Sequence, residues 1–171
     1  MEYKHVPVMP TEVLQALQPE DGGRYADGTI GGGGHAAMIL EASKTGSWLG
    51  GSDRDGAAVE AASSRLAPYA GRFEIRKGSF ASLADWIESG SLDGVLLDLG
   101  VSSPQLDWPD RGFSLLKDGP LDMRMDKEQH LTAANIVNGE TEKKLADIIW
   151  RLGDERESRK IAKAIVRARE R

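Results

Sequence analysis

Three aspartates at the ends of apolar runs are the residues around which chemistry could be built. Asp27 follows Arg24-Tyr25-Ala26, Asp53 follows Ser47-Trp48-Leu49-Gly50-Gly51-Ser52, and Asp98 follows Val95-Leu96-Leu97. Asp27 opens the stretch Gly28-Thr29-Ile30-Gly31-Gly32-Gly33-Gly34-His35, and a helical pattern, Ala36 to Leu40, comes next. Glycine permits the positive φ of a sharp turn and removes the Cβ atoms that hold a ligand off the backbone. The helix that follows offers free N–H groups and a positive dipole end. Strand, glycine turn and helix in that order predict a site for a nucleotide-like ligand, against the alternative of a plain flexible loop. Asp53 lies 22 positions beyond Gly31, where a Rossmann-like fold places the carboxylate that accepts from two ribose hydroxyls. The competing role for Asp53 is a helix cap for Ala57 to Ala62, which Asp55 fills better.

The sign of the charge at Asp27 narrows the ligand. A dinucleotide needs a backbone cradle for its pyrophosphate, and a fixed carboxylate beside it repels that group. Next to a sulfonium or an amino-acid ammonium the same carboxylate attracts. The expected cofactor is therefore S-adenosylmethionine. A nucleotide-dependent dehydrogenase, built on the same fold and the same Asp53, is the disfavoured rival.

The elements that must hold these residues are β–α units. The four strands are expected at Arg24–Asp27, Ser47–Asp53, Arg72–Arg76 and Leu92–Leu99, the last buried on both faces at Val95-Leu96-Leu97. Repeated β–α units predict an α/β fold, a doubly wound parallel sheet with right-handed crossovers. Ligands bind at the carboxyl ends of such strands, so Asp27, Asp53 and Asp98 should converge. Phe80, after the third strand, covers an adenine face or staples the next helix, expected from Leu83 to Ile87. Pro10 suits the first turn of an opening helix.

Residues 100–131 have little periodicity but a dense mixture of Gly, Pro, aromatic and charged residues, which predicts an active-site loop bound to its own scaffold. Helices follow from Leu131. Thr132 caps the first, Gly153 stops the second and Asp154 is expected to cap the third. Ile161, Ile165 and Ala168 should face one way, and Arg156, Lys160, Lys163 and Arg167 another. The net charge is −5, yet residues 132–171 carry ten Lys/Arg against seven Asp/Glu, an excess of +3. With no cysteine, disulfides and thiolate metal sites are excluded. No apolar run reaches eighteen residues and the first five residues lack the apolar core of a signal peptide, so a cytoplasmic protein with no membrane span is expected. No metal is required.

Several motifs together resemble the MraW/RsmH family: His5-Val6-Pro7-Val8, Asp27 to His35, Asp53-Arg54-Asp55, Leu96-Leu97-Asp98-Leu99-Gly100-Val101-Ser102-Ser103-Pro104-Gln105-Leu106-Asp107, Arg111-Gly112-Phe113-Ser114, and Asp118-Gly119-Pro120-Leu121-Asp122-Met123-Arg124-Met125-Asp126. Asp-x-x-x-Gly-x-Gly is also similar to the first motif of class I methyltransferases. The resemblance spans essentially the whole chain. It implies a bacterial S-adenosylmethionine-dependent methyltransferase acting on the exocyclic N4 of a cytosine in the decoding region of 16S ribosomal RNA, with the small ribosomal subunit as partner. It implies cofactor contacts at Gly33, Gly34, His35, Asp53, Phe80, Asp98 and Gln105. The catalytic candidates after the fourth strand are Asp98, Ser103 and Gln105, and Trp108 or Phe113 could stack on the base.

The same resemblance implies a cofactor-binding core over residues 1–106 and, over 107–171, an active-site loop with an inserted helical domain that helps hold RNA. Family members continue past this point, add further sheet strands and carry a Phe-His-Ser-Leu-Glu-Asp motif. The chain is thus expected to be an N-terminal half. It should dimerise or aggregate through the exposed fourth strand, and is not expected to turn over RNA alone. The rival reading of another class is a catalytically inactive fragment that binds RNA or cofactor.

Overall fold

A computed structural model describes residues 6–170. These form two compact units, one ending at Pro104 and the other beginning at Gln105.

The first unit is built on four parallel strands: β1 (Arg24–Asp27), β2 (Trp48–Asp53), β3 (Phe73–Lys77) and β4 (Gly94–Leu96), in the order β3-β2-β1-β4. The parallel register pairs Asp27 with Gly51 on one side and with Leu96 on the other, and Asp53 with Lys77. The switch point of the Rossmann-like sheet therefore lies between β1 and β4. Helices α1 (Pro10–Leu17), α2 (Gly34–Ala42) and α3 (Gly56–Leu66) accompany it. Tyr25 and Leu49, adjacent in register, join Ile39, Leu40, Ala62 and Leu66 in one buried cluster. The period of two in a strand sends neighbours to opposite faces. A Cβ on Gly51 would strike Ile30, whereas one on Gly50 would meet Ile87 and Trp86. Both faces of β2 are thus covered. The segment expected as a helix from Leu83 to Ile87 is instead a 3₁₀ turn, Phe80–Asp85, opened by Ser79, whose Oγ accepts from the Ala81 amide.

The fourth strand is shorter than expected. It spans only Gly94–Leu96, so Asp98 stands two residues past its end. Val95 and Leu97 are 52% and 43% exposed, which overturns the expected burial on both faces and matches the expected exposed strand. The reason is position: among the described residues β4 is an edge strand, paired with β1 alone.

The second unit contains part of the short helix α4 (Ser103–Asp107), a long irregular segment, and helices α5 (Ala133–Gly139), α6 (Glu142–Gly153) and α7 (Ser158–Arg169). Thr132 caps α5 in a reciprocal box with Asn135. Leu145 and Ala146 of α6 pack with Ala162 of α7, and Ile136, Ile165 and Val166 surround them. Two expectations need correcting. Asp154 is not the cap of α7 but the left-handed residue that ends α6, with φ 49°, and Glu157 precedes α7. Aspartate tolerates that conformation because its short side chain bonds locally. Ile161 and Ala168 are exposed; the packed face of α7 is rotated to Ser158, Ala162, Ile165 and Val166. Arg156, Lys160, Lys163 and Arg167 are all exposed.

The irregular segment is tied to itself. The Arg111 side chain, buried, donates from Nη2 to the carbonyls of Arg124 and Met125, each at 3.0 Å. Arg124 grips Asp122 with two nitrogens, Nε at 2.8 Å and Nη2 at 2.7 Å, and gives Nη1 to the carbonyls of Lys127 and Gln129. That fork, reinforced by hydrogen bonds to the carboxylate, holds the Asp122 carboxyl down at about 2. The carbonyls of Asp122 and Leu121 then receive the first amides of α5.

Candidate functional site

The ends of β1, β2 and β4 are joined by polar contacts. At the end of β1, the Asp27 Oδ1 accepts the Thr29 amide at 3.1 Å and lies 3.5 Å from the Thr29 hydroxyl. The same hydroxyl accepts the Asp98 amide at 2.7 Å. At the end of β2, Asp53 accepts the Gly31 amide on Oδ2 and the Asp55 amide on Oδ1, both at 2.9 Å. Two main-chain bonds frame this corner: Gly28 N–H to the Leu96 carbonyl and Ile30 N–H to the Ser52 carbonyl, each 3.0 Å. The Ser52 hydroxyl, buried, donates to the Gly28 carbonyl at 3.3 Å.

The three aspartates differ in environment. Asp27 is 1% exposed. Burial pushes its carboxyl up to about 7; the Thr29 amide opposes this, and repulsion from Asp53 and Asp98 adds to it. Asp53 is also raised, by burial first, with the amides of Asp55 and Gly31 holding it back. Asp55 takes the structural task at the start of α3, accepting the Ala57 amide. That leaves the Asp53 carboxylate free of the cap and aligned with the glycine turn.

Four glycines carry out different tasks. Gly31 has φ +50° and delivers its amide to Asp53. Gly33 has φ +73° and a Cβ there would press on Ala62 of α3. Gly34 opens α2, and a Cβ there would lie 2.5 Å from Pro7. The buried His35 side chain places Nε2 2.8 Å from the Val8 carbonyl. Gly34 and His35 thus dock the segment preceding α1. His5, in the first quoted motif, lies outside the described residues. Gly28 is closed off as well, since a Cβ would fall 2.6 Å from the Phe80 Cβ and 2.5 Å from Leu97. Phe80 itself is 40% exposed at the start of the 3₁₀ turn.

The structure brings Asp27, Asp53, Asp98 and the glycine turn into one corner of the first unit. Ser103 is exposed at the start of α4, in the same unit. Gln105 is buried and belongs to the second unit, as do the half-buried Trp108 and Phe113. Thr29 and Ser52 are the residues that sequence reasoning passed over. For Thr29 the only local signal is the spacing Asp-x-Thr, which favours a turn in which the carboxylate accepts an amide two residues on.

What this corner can hold follows from its donors and acceptors. It presents carboxylates for hydroxyl, ammonium or sulfonium groups, and a glycine turn for close approach. The carboxylates of Asp53 and Asp98, beside the buried Asp27, would repel a pyrophosphate. The acceptor set fits S-adenosylmethionine and disfavours a dinucleotide.

Comparison with known proteins agrees. Residues 2–171 match the model of the MraW methylase family. A protein of Cyanothece named ribosomal RNA small subunit methyltransferase H is 50% identical over 98% of this chain and 56% of its own length. Proteins of the same name from Geotalea uraniireducens and Geobacter sulfurreducens are 49% and 51% identical, each over 99% of this chain and 55% of their own. The chain spans about half the length of these curated relatives.

Proposed function

The chain belongs to the MraW methylase family, a methyltransferase family, and from that premise we propose that it carries the cofactor site of an S-adenosylmethionine-dependent ribosomal RNA methyltransferase. The single observation that carries the reading is the convergence of Asp27, Asp53 and Asp98 on the glycine turn, fixed by the Gly31–Asp53 and Thr29–Asp98 bonds. The name shared by the relatives supports ribosomal RNA of the small subunit as substrate. The finer reading, methylation of a cytosine N4 in the decoding region, rests on the motif resemblance.

Bound in this corner, S-adenosylmethionine supplies an electrophilic methyl group on a positively charged sulfur. Asp53 accepts the ribose hydroxyls, using the carboxylate lone pairs that its two amide donors leave open. The Asp98 carboxylate, joined by Asp27 in its ionised form, favours a cationic ligand over a neutral one. Phe80 is available to an adenine face. A cytosine N4 is a weak nucleophile because its lone pair is delocalised into the ring, so positioning supplies much of the rate. An oxygen accepting from an N4 hydrogen would free that lone pair and stabilise the positive charge that develops on nitrogen. Asp98, Ser103 and Gln105 are the candidates for this contact. The exposed basic face of α7 is the proposed contact for RNA phosphates, and cytoplasmic ribosome assembly is the proposed setting.

The test is transfer of a radiolabelled methyl group to purified small ribosomal subunits that lack the modification. Residues 1–171 alone are compared with a chain extended by the family's C-terminal half, and the modified base is identified by mass spectrometry. Incorporation at a cytosine N4 by the extended chain is expected, with none by residues 1–171 alone. Modification elsewhere, or none in either case, would overturn the assignment of substrate. Comparable incorporation by both would place the whole catalytic apparatus within these residues.

A further inference from the structure

We propose that Thr29 is a positioning residue for cofactor binding, its hydroxyl tying Asp98 to the end of β1 and so fixing where the Asp98 and Asp27 carboxylates stand. The inference rests on the cofactor reading above and adds to it a residue that contacts no substrate. The parallel ladder between β1 and β4 ends at Asp27 opposite Leu96. The last main-chain link is the Gly28 amide on the Leu96 carbonyl. Asp98 lies beyond both, on the exposed edge of the sheet. Its amide is held by the Thr29 hydroxyl at 2.7 Å. With that lone pair engaged, the hydroxyl proton is directed to Asp27 Oδ1. One side chain therefore spans the switch point of the sheet.

The position is exacting because like charges meet there. The charged groups that bear on Asp27 are Asp53, at the end of β2, and Asp98, beyond β4. Both repel an ionised Asp27, so the like-charge repulsion in the corner grows as Asp27 ionises. A hydroxyl holds the corner without cancelling the field that a cationic ligand would use. Valine has the shape of threonine and no hydroxyl. Thr29→Val leaves the Asp98 amide without its acceptor and removes one of the two Thr29 donors to Asp27. Serine restores the hydroxyl.

The experiment measures binding of S-adenosylmethionine and S-adenosylhomocysteine by calorimetry from pH 5.5 to about 9, alongside thermal melting, on a chain extended with the family's C-terminal half. Thr29→Val is expected to weaken affinity at least about tenfold, the loss of one hydrogen bond to a charged group or its neighbour. The acid limb of the binding profile should also move to higher pH, because Asp27 loses a donor that favours its ionised form. Thr29→Ser should return both. Wild-type protein that binds neither compound would overturn the cofactor reading and this inference with it. Wild-type binding with an unchanged affinity and profile in Thr29→Val would overturn the role of Thr29 alone. Should Thr29→Val fail to fold, amide exchange in the wild type decides: slow exchange at Asp98 is expected, and fast exchange would overturn the inference.

Discussion

The Gly31 amide and the Asp53 carboxylate, 22 residues apart, form a 2.9 Å hydrogen bond that joins the glycine turn to the end of the second strand. The bond uses one lone pair of the carboxylate and a second goes to Asp55. The carboxylate is thereby oriented before any ligand arrives, which lowers the ordering cost of binding.

Asp53→Ala should weaken S-adenosylhomocysteine binding more than tenfold. Hydrogen bonds to a charged acceptor are worth about 1.5–3 kcal/mol each, and two ribose hydroxyls lose their partner. Asp53→Asn, whose single oxygen keeps the Gly31 bond only by giving up the Asp55 amide, should fall between. Calorimetry with a circular-dichroism check of the fold measures this. Unchanged affinity in a folded Asp53→Ala protein would reduce Asp53 to an anchor for the turn.

Asp27 gives the free protein a pH-dependent stability. Its carboxyl stands at about 7 when folded against 3.8 otherwise. The folded state holds the proton more tightly, so this contribution is complete below about 3.8 and is lost as the pH rises through 7. Asp27→Asn should therefore melt higher than wild type at pH 8, by an amount on the order of a few kcal/mol, with the gap closing towards pH 5. The same variant should bind S-adenosylmethionine less well. A melting difference that does not change with pH would show that Asp27 does not titrate on folding.

Arg124→Lys should loosen the irregular segment although the charge is kept. Lysine offers one nitrogen where Arg124 uses three, on Asp122, Lys127 and Gln129. Limited proteolysis should then cut between residues 112 and 131 several times faster, while S-adenosylhomocysteine affinity of the first unit is retained. Asp122 adds a sign: its lowered carboxyl gives stability that is present above 3.8 and lost as the pH falls towards 2. A cleavage pattern identical to wild type would remove the fork from the account of this segment.

Reversal of Arg156, Lys160, Lys163 and Arg167 to Glu should weaken RNA binding and flatten its salt dependence, with cofactor affinity unchanged. Lys160 already pairs with Glu157, so its share should be the smallest. Each phosphate neutralised contributes a slope of about 0.7–0.9 in log–log salt plots. An unaltered slope in filter binding would make this face an ordinary solvated one.

Much of the first unit was legible because its signals are local. The run before Asp27 and the glycines after it fix strand, turn and helix by backbone preference alone, and the spacing to Asp53 follows from one β–α–β unit. The length of β4 was not legible: an apolar run records burial in its surroundings, and Val95 and Leu97 lie on an edge here. Thr29 escaped notice because the partner of its hydroxyl, the Asp98 amide, comes from 69 residues away. The face of α7 was misjudged by one rotation, since Ile161 suits a core by type while Ala162 fits against α6 by size. Asp154 reads as a cap by type, but capping at the start and the end of a helix both draw on Asp, and only φ separates them.

The strand order has a consequence for the sequence of folding events. Partners between β1 and β2 are separated by 24 residues, those between β1 and β4 by 69. Loop closure costs more entropy for the longer span, so the first three strands can zip while the fourth is still free. Until β4 docks, the side of β1 that ends in Asp27 is an open edge. The last step of assembly is then the one that brings Asp98 to Thr29 and closes the corner where the cofactor is proposed to bind.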